Sequence, residues 1–294
     1  MAVLAHRKKY LHGAGLDALR ETLAAAGVED PLWYEVNKSR KAPKRARAAL
    51  KEGADLVLVW GGDGMVQRSV DALAGSGVPV GLLPAGTANL LASNLGIPDN
   101  LEAAVKTALH GDRRTLDLGL LTAGDVEEHF AVMAGAGFDA ELVGGADRRA
   151  KARLGKLAYF RSGLAGIRGP VVRARVKVDG TLWYEGPASC VLLGNVGRIV
   201  GGVPAFDDAD PSDGLLEVGV TTASGVLQWA RTLGRMTFGR SDHSQFIRIT
   251  RGRKITVKLA KPLPIELDGG ARDDARKLTA TVAAGALIVC VPHP

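Results

Sequence analysis

Cysteine is close to absent from this chain: Cys190 and Cys290 are the only two in 294 residues. Both lie in apolar, strand-like runs, residues 189–193 and 287–291. Their spacing fits no metal motif, so two buried free thiols are expected, with a single disulfide as the lesser alternative. Either suits a reducing cytosol. Aromatic residues make up only 5% of the chain, and they are not interleaved with its basic clusters. Long hydrophobic runs are missing too. The longest, near residues 283–291, is far short of the ~18 residues a membrane-spanning helix needs. Residues 1–10 carry only a short apolar stretch before Arg7-Lys8-Lys9, which is neither a signal peptide nor a transmembrane segment. The six histidines form no ligand-spaced pair, and there is no Walker A loop, zinc-protease pair or nucleophile elbow.

What is present is an ordinary globular composition, 46% hydrophobic and 23% charged, in a chain long enough for two domains of about 100–200 residues each. The 38 glycines point to tight turns and close backbone approaches. The net charge is +7, with basic clusters at residues 38–47, 148–156 and 248–254. No helix-turn-helix, zinc-finger or RRM signature accompanies them, so nucleic acid is not an expected partner. Each cluster is either a solvated face or an attraction to anionic lipid or nucleotide phosphate.

Up to residue 122 the chain alternates strand and helix. Apolar strands are predicted at 2–5, 32–36, 55–60 and 78–83, and helices at 16–26, 41–52 and 66–73. Uninterrupted apolar strands with helices between them indicate a parallel sheet covered on both faces. Residues 1–122 are therefore expected to form a doubly wound α/β nucleotide domain. From 123 to 294 the texture changes. Val172, Ala174, Val176 and Val178 alternate with Arg173, Arg175 and Lys177, the period of a strand with one wet face. Asp179-Gly180 is a hairpin signal with a return strand at 182–184. Leu216, Val218 and Val220 repeat the alternation, as do Ile247 and Ile249, then Ile255, Val257 and Leu259. This half is expected to be an antiparallel β-sandwich with one or two helices, at 155–166 and 225–233. No linker marks the boundary, and the last strand is free to return to the first domain.

Chemistry concentrates at two strand ends. The strand at 55–60 stops at Gly61-Gly62-Asp63-Gly64, and a helix is predicted from about Met65. In open α/β sheets ligands bind outside the carboxyl ends of strands. Glycines there let amide N–H groups approach phosphate oxygens, and the following helix points its positive end at the same place. A purely structural turn would explain the glycines but not the carboxylate. Asp63 argues for a Mg²⁺ or water shell between it and a nucleotide, or for a base acting on an attacking hydroxyl. The next strand ends in Pro84-Ala85-Gly86-Thr87-Ala88-Asn89. Thr87 or Asn89 could simply cap the helix that follows; the functional alternative is a second phosphate-facing wall with the Thr87 hydroxyl as donor.

Gly-Gly-Asp-Gly followed about twenty residues on by the Pro-Ala-Gly-Thr-Ala-Asn-Leu-Leu-Ala-Ser-Asn-Leu-Gly-Ile-Pro run of 84–98 resembles the catalytic domain of bacterial diacylglycerol kinases and sphingosine kinases. The resemblance continues through Gly135-Ala136-Gly137-Phe138-Asp139-Ala140, Leu154-Gly155-Lys156-Leu157-Ala158-Tyr159, Asn195 with Gly201-Gly202, Asp213-Gly214-Leu215-Leu216-Glu217-Val218 and Glu266-Leu267-Asp268-Gly269. It implies a two-domain lipid kinase that moves the γ-phosphate of ATP to a lipid hydroxyl with Mg²⁺, diacylglycerol giving phosphatidic acid. It also implies a cytoplasmic protein meeting its lipid substrate peripherally, at the inner face of the membrane; a homodimer is allowed.

On that resemblance, Gly61, Gly62, Asp63, Gly64, Met65, Gly86, Thr87 and Asn89 are the nucleotide-binding candidates and Asp63 and Asp268 the catalytic ones. Asp213 would hold a structural Mg²⁺; read from the residues alone, the acidic run 207–214 is a turn rich in side-chain-to-backbone bonds and does not match an EF-hand. Three departures stand out. Gly270 occupies the position after Asp268-Gly269 where the family usually has a Glu suited to be the base, leaving Asp63, Asp268 or no base at all. Met65 replaces the Thr of most bacterial members. His6-Arg7-Lys8-Lys9 replaces a glycine-rich turn, and any of Arg7, Lys8 or Lys9 could meet phosphate as a point charge. The rival readings are a non-catalytic nucleotide- or lipid-binding relative, and an NAD kinase-like small-molecule kinase.

Overall fold

A computed structural model describes residues 1–137, 170–199, 203–222 and 247–293. The helices expected at 155–166 and 225–233, the 148–156 basic cluster, Phe138-Asp139-Ala140, the segment Leu154 to Tyr159 and Gly201-Gly202 lie outside the described residues. The chain divides into two compact units, Met1–Leu118 with Ala283–Pro294, and Gly119–Val282. The first unit thus ends four residues before the sequence-based boundary and takes in the chain's last segment.

The first unit is built on parallel strands in the order β2 (Leu32–Val36), β1 (Ala2–His6), β3 (Val57–Gly61), β4 (Val80–Pro84). All residues of β1, β3 and β4 are buried, which is why their sequences are apolar without alternation. On one face, Leu19 and Leu23 of α1 (Leu16–Ala25) join Ala104, Val105 and Ala108 of the fifth helix (Leu101–His110) over Val3, Ala5, Leu58, Trp60 and Leu83. Elsewhere α2 (Ala42–Lys51) packs against β1, and α3 (Asp63–Leu73) against β3 and α2. A short α4 (Leu90–Asn94) follows β4, and the helix Leu101–His110 is α5. Two long strands, β5 (Asp112–Ala123) and the final strand Gly270–Val291, pass from one unit into the other. Within the first unit, Val289 pairs in parallel with Val80, and the Gly285 N–H donates to Asp117 Oδ1 at 2.7 Å.

The second unit is antiparallel. It contains β6 (Val126–Phe130), β7 (Met133–Ala136), β8 (Val172–Val178), β9 (Thr181–Ala188), β10 (Cys190–Gly194), the short pair β11 (Arg198–Ile199) and β12 (Val203–Pro204), β13 (Leu216–Thr221), β14 (Ile247–Gly252), β15 (Lys254–Leu267) and the first part of β16 (Gly270–Val291). Strands run β14-β13-β10-β7-β15-β16, with β8 on the first half of β15 and β9 on β8. The register of β15 against β16 shifts between Lys258 and Ile265, so one strand serves β8 with its start and β7 with its end. Alternate residues of β8 are buried, and Asp179 and Gly180, at φ 49° and 85°, make the tight turn their sequence predicts. Among the described residues no helix is long and apolar enough to cross a membrane, and Cys190 and Cys290 are free buried thiols.

Candidate nucleotide site

The turns after β3 and β4 emerge side by side because the strands are neighbours, with Gly61 in register with Pro84. The Ala85 N–H donates to the Gly61 carbonyl at 2.9 Å. Beyond that bond the two glycine backbones touch. A Cβ on Gly86 would lie 2.5 Å from the Gly62 Cα, and one on Gly62 would lie 3.0 Å from the Gly86 Cα. Neither residue has positive φ, so glycine is required here by proximity. Gly62 takes the cap position of α3 in an extended conformation, and the helix begins at Asp63, earlier than its apolar spacing suggests. With no side chain at the cap, the first amides of α3 and its positive dipole end are left for a ligand or solvent. A Cβ on Gly64 would meet nothing within 4 Å.

Asp63 turns its carboxylate to the second turn. Oδ1 accepts the Leu90 N–H at 2.5 Å and Oδ2 the Asn89 N–H at 3.1 Å. It therefore caps α4 from a neighbouring helix, a task Asn89 does not perform itself. Asn89 sits in left-handed backbone, φ 48°, ψ 51°. Its side chain closes the glycine turn: Oδ1 accepts the Gly86 N–H at 2.8 Å and Nδ2 donates to the Gly86 carbonyl at 3.2 Å. Burial pushes the Asp63 carboxyl above its ordinary range, against the opposing pull of the Leu90 and Asn89 amides and of Lys9.

Lys9 brings a third strand end to the same place. Its Nζ lies 3.7 Å from where a Cβ on Gly62 would stand. The turn that carries it is fixed by Lys9 N–H to His6 O at 3.1 Å, Lys8 N–H to His6 Nδ1 at 3.2 Å and Trp60 Nε1–H to Lys9 O at 3.3 Å. Burial and the Lys9 charge hold the His6 imidazole below its ordinary value. Arg7 is engaged elsewhere: Glu35 accepts from its Nε at 2.5 Å, from Arg20 at 3.0 Å and from Trp33 Nε1 at 2.8 Å.

In the second unit, buried Asp268 stands in the β15–β16 turn at φ 46°. Its Oδ1 accepts the N–H groups of Val132 at 2.9 Å and Met133 at 2.8 Å, and its Oδ2 that of Ala131 at 2.8 Å. Asn195 grips the same segment: its N–H donates to Val132 O at 2.9 Å and its Nδ2 to Ala131 O at 3.1 Å. Buried Glu266 accepts the Gly269 N–H. Beside Gly270, where a Cβ would meet Arg272 Nη1 at 2.9 Å, Arg272 makes a two-pronged pair with Glu128 at 3.0 and 2.5 Å. Asp213 Oδ1 accepts the Leu215 N–H at 2.9 Å, and Oδ2 faces Arg251 at 3.8 Å. Nearby Glu217 is held above the ordinary carboxylate range by burial, with Asp213 and Asp208 adding to the rise and Arg251 opposing it. Among the described residues no three His, Cys, Asp or Glu side chains are grouped to hold a metal ion.

Residues 11–121 match the diacylglycerol kinase catalytic domain, and residues 132–291 match the YegS C-terminal NAD kinase beta sandwich-like domain. The diacylglycerol kinase of Mycobacterium tuberculosis (strain CDC 1551 / Oshkosh) is 30% identical over 273 residues, covering 87% of this chain and 88% of that one. The chain belongs to the diacylglycerol kinase family. The family's Bacillus subtilis (strain 168) diacylglycerol kinase is 27% identical over 228 residues, 76% of this chain and 73% of that one. The crystal structure of a diacylglycerol kinase from Bacillus anthracis str. Sterne shares the fold at a TM-score of 0.77 and 22% identity, covering 99% of this chain and 96% of that one. An Archaeoglobus fulgidus NAD kinase solved with ATP shares it more distantly, at a TM-score of 0.56 and 13% identity over 99% of this chain and 93% of that one.

Set in this lipid kinase family, the nucleotide-binding candidates fall into two groups. Gly61, Gly62, Asp63, Gly64, Gly86, Thr87 and Asn89 converge on the ends of β3 and β4. Within them, the Gly86 N–H and the Asn89 side chain satisfy each other, so they shape the turn; Thr87 is exposed at its tip. Met65 points the other way: it is buried, and its Cβ and Cγ stand 2.5 Å from where a Gly61 side chain would be. The Met65 side chain packs beneath the loop. Asp268, expected as a base, has both oxygens committed to three backbone amides, which suits an acceptor that holds a turn. Sequence left Arg7, Lys8 and Lys9 open; that Lys9 is the one beside Gly62 depends on Trp60 and Gly62, which are remote along the chain.

Proposed function

We propose that the protein transfers the γ-phosphate of ATP to a lipid hydroxyl, with diacylglycerol as acceptor and phosphatidic acid as product. The observation that carries this is the contact of the Gly62 and Gly86 backbones beside the Lys9 ammonium. It leaves the uncapped amides at the start of α3, a lysine and the exposed Thr87 hydroxyl around one small region, the donors a polyphosphate needs. Phosphoryl transfer passes through a loose transition state in which positioning and charge neutralisation matter most. Lys9 is assigned the charge and the Gly62 to Gly64 backbone the positioning. Asp63 holds the two turns in register, and its remaining lone pairs would help hold the nucleotide's cation. Asp268 is assigned the shaping of residues 131–133, and the acceptor proton needs no strong base.

The residues fit magnesium carried with the nucleotide: the ion commonly takes one or two carboxylates together with phosphates and water, and Asp63 stands at the phosphate turns. It would supply charge neutralisation on the β- and γ-phosphate oxygens. Asp213 is proposed for a separate structural ion, held with backbone carbonyls.

The test is incubation of the purified protein with γ-labelled ATP and Mg²⁺ against micelles of diacylglycerol, monoacylglycerol, ceramide or sphingosine, with NAD as a soluble acceptor. Label in phosphatidic acid is expected. Label in NADP alone would replace this reading with the NAD kinase one, and a folded, ATP-binding protein with no labelled product would leave a non-catalytic relative.

A further inference from the structure

The sequence's first basic cluster is exposed, and the acid beside it, Glu52 at the end of α2, acts with Arg45 on the Tyr34 hydroxyl. Lys38, Arg40 and Lys41 lie on or beside the 3₁₀ turn Ser39–Lys41, and Lys44, Arg45, Arg47 and Lys51 follow on α2; all seven are exposed. The opposite stripe of α2, Ala42, Ala46 and Ala49, is buried. Among the described residues none of the seven cations forms an ion pair, and Arg45 only overhangs the Tyr34 ring at 5.9 Å. The arrangement works against the helix that carries it. Its first turn has no acidic residue, although cations there oppose the positive dipole end. Lys41 and Lys44, Lys44 and Arg47, and Arg47 and Lys51 are like-charge pairs at three- or four-residue spacing, which weaken a helix. Nothing in the packing requires this, since small alanines make the contact. A conflict between local preference and fold is where an external partner is to be sought.

Position says what the partner is. β1, β2, β3 and β4 are parallel, so the 3₁₀ turn after β2 stands at the strand-end edge that carries Lys9, Gly62 and Gly86. That turn packs on α3, whose first residue is Asp63. We infer that this basic surface docks the first unit on an anionic lipid bilayer. The choice of a bilayer over other polyanions rests on the lipid-kinase reading, because an enzyme with a lipid acceptor must work at that surface. Basic side chains near an anionic leaflet each add attraction that falls off within a Debye length.

The experiment is vesicle co-sedimentation of the full chain without nucleotide, using phosphatidylcholine alone and phosphatidylcholine with phosphatidylglycerol. Binding only to the anionic vesicles, weakened by salt, is expected. Each neutralised cation is expected to lower affinity about five-fold, so Lys44→Gln with Arg47→Gln and Lys51→Gln should lose roughly 100-fold. The comparison variant Lys177→Gln with Lys258→Gln and Lys277→Gln removes the same charge from exposed sheet positions of the second unit, and should stay within a few-fold of wild type. Equal losses in both triples, binding that ignores phosphatidylglycerol, or binding to oligonucleotides but not vesicles would overturn the inference. Turnover of a short-chain, water-soluble diacylglycerol should be unchanged in the α2 triple; its loss there would move these residues into the reaction and also overturn docking. Vesicle binding is read without ATP, so a failed kinase assay leaves its outcome separate.

Discussion

Replacing Gly86 with alanine tests the contact on which the site is built. Gly86 does not have positive φ, so alanine brings no backbone strain. Its new Cβ would stand 2.5 Å from the Gly62 Cα and 2.6 Å from Asn89 Oδ1. Carbon atoms in contact ordinarily sit about 3.5 Å apart, so the two turns must part by about 1 Å. A displacement of that size between groups that position a reaction costs on the order of 10²-fold in rate, and overpacking of this kind costs about 1–3 kcal/mol in stability. The assay is kcat/KM for ATP measured beside a thermal unfolding curve. Gly64→Ala is the internal comparison. Its Cβ would meet nothing within 4 Å and it lies in the first turn of α3, so folding should be unharmed or improved by up to about 1 kcal/mol. Crowding at the phosphate amides should still weaken ATP about ten-fold, or about 1.4 kcal/mol. A Gly86→Ala protein with wild-type melting and wild-type kcat/KM would show that the contact between the two turns positions nothing.

Three further outcomes are expected. Lys9→Met should fold normally yet lose about 10- to 100-fold in kcat/KM for ATP, the range of one charged hydrogen bond, in steady-state kinetics; a change below two-fold removes Lys9 from the site. Burial holds the Asp63 carboxyl above its ordinary 3.8, so its ionisation disfavours the folded state. Relative to Asp63→Asn, wild-type stability should therefore be best below that value and decline as pH rises through the folded one, and Lys9→Met should move the folded value further up, as read by denaturant unfolding and carboxyl NMR titration. Asp268→Ala strands three amides in a buried turn and should cost upwards of about 3 kcal/mol in a chemical melt; unchanged stability with abolished turnover would instead return Asp268 to the chemistry.

Much of this was legible in sequence where one physical cause dominates. β1, β3 and β4 are buried on both faces and announce themselves as apolar runs, and β8 alternates because one face is wet. The start of α3 was misjudged because Gly62-Asp63-Gly64 reads as loop, although an uncapped glycine followed by an acid is a workable helix start. The strands at 112–136 escaped because β5 does not alternate strictly and β6, Val-Glu-Glu-His-Phe, is mostly polar. Side-chain roles were harder still. Asp63 reaches Leu90, and Asp268 reaches Met133 across 135 positions; no local pattern encodes either bond. Met65 follows the glycine loop directly, and nothing local in the sequence says that Gly61 leaves room for its side chain to turn inward.

The most direct test of the central claim is an ATP titration followed by amide nitrogen–proton NMR of the protein. The amides of Gly62, Asp63 and Gly64 should move first and furthest, with smaller shifts in Lys9→Met at equal nucleotide. Saturable ATP binding that leaves those three amides in place would contradict the claim.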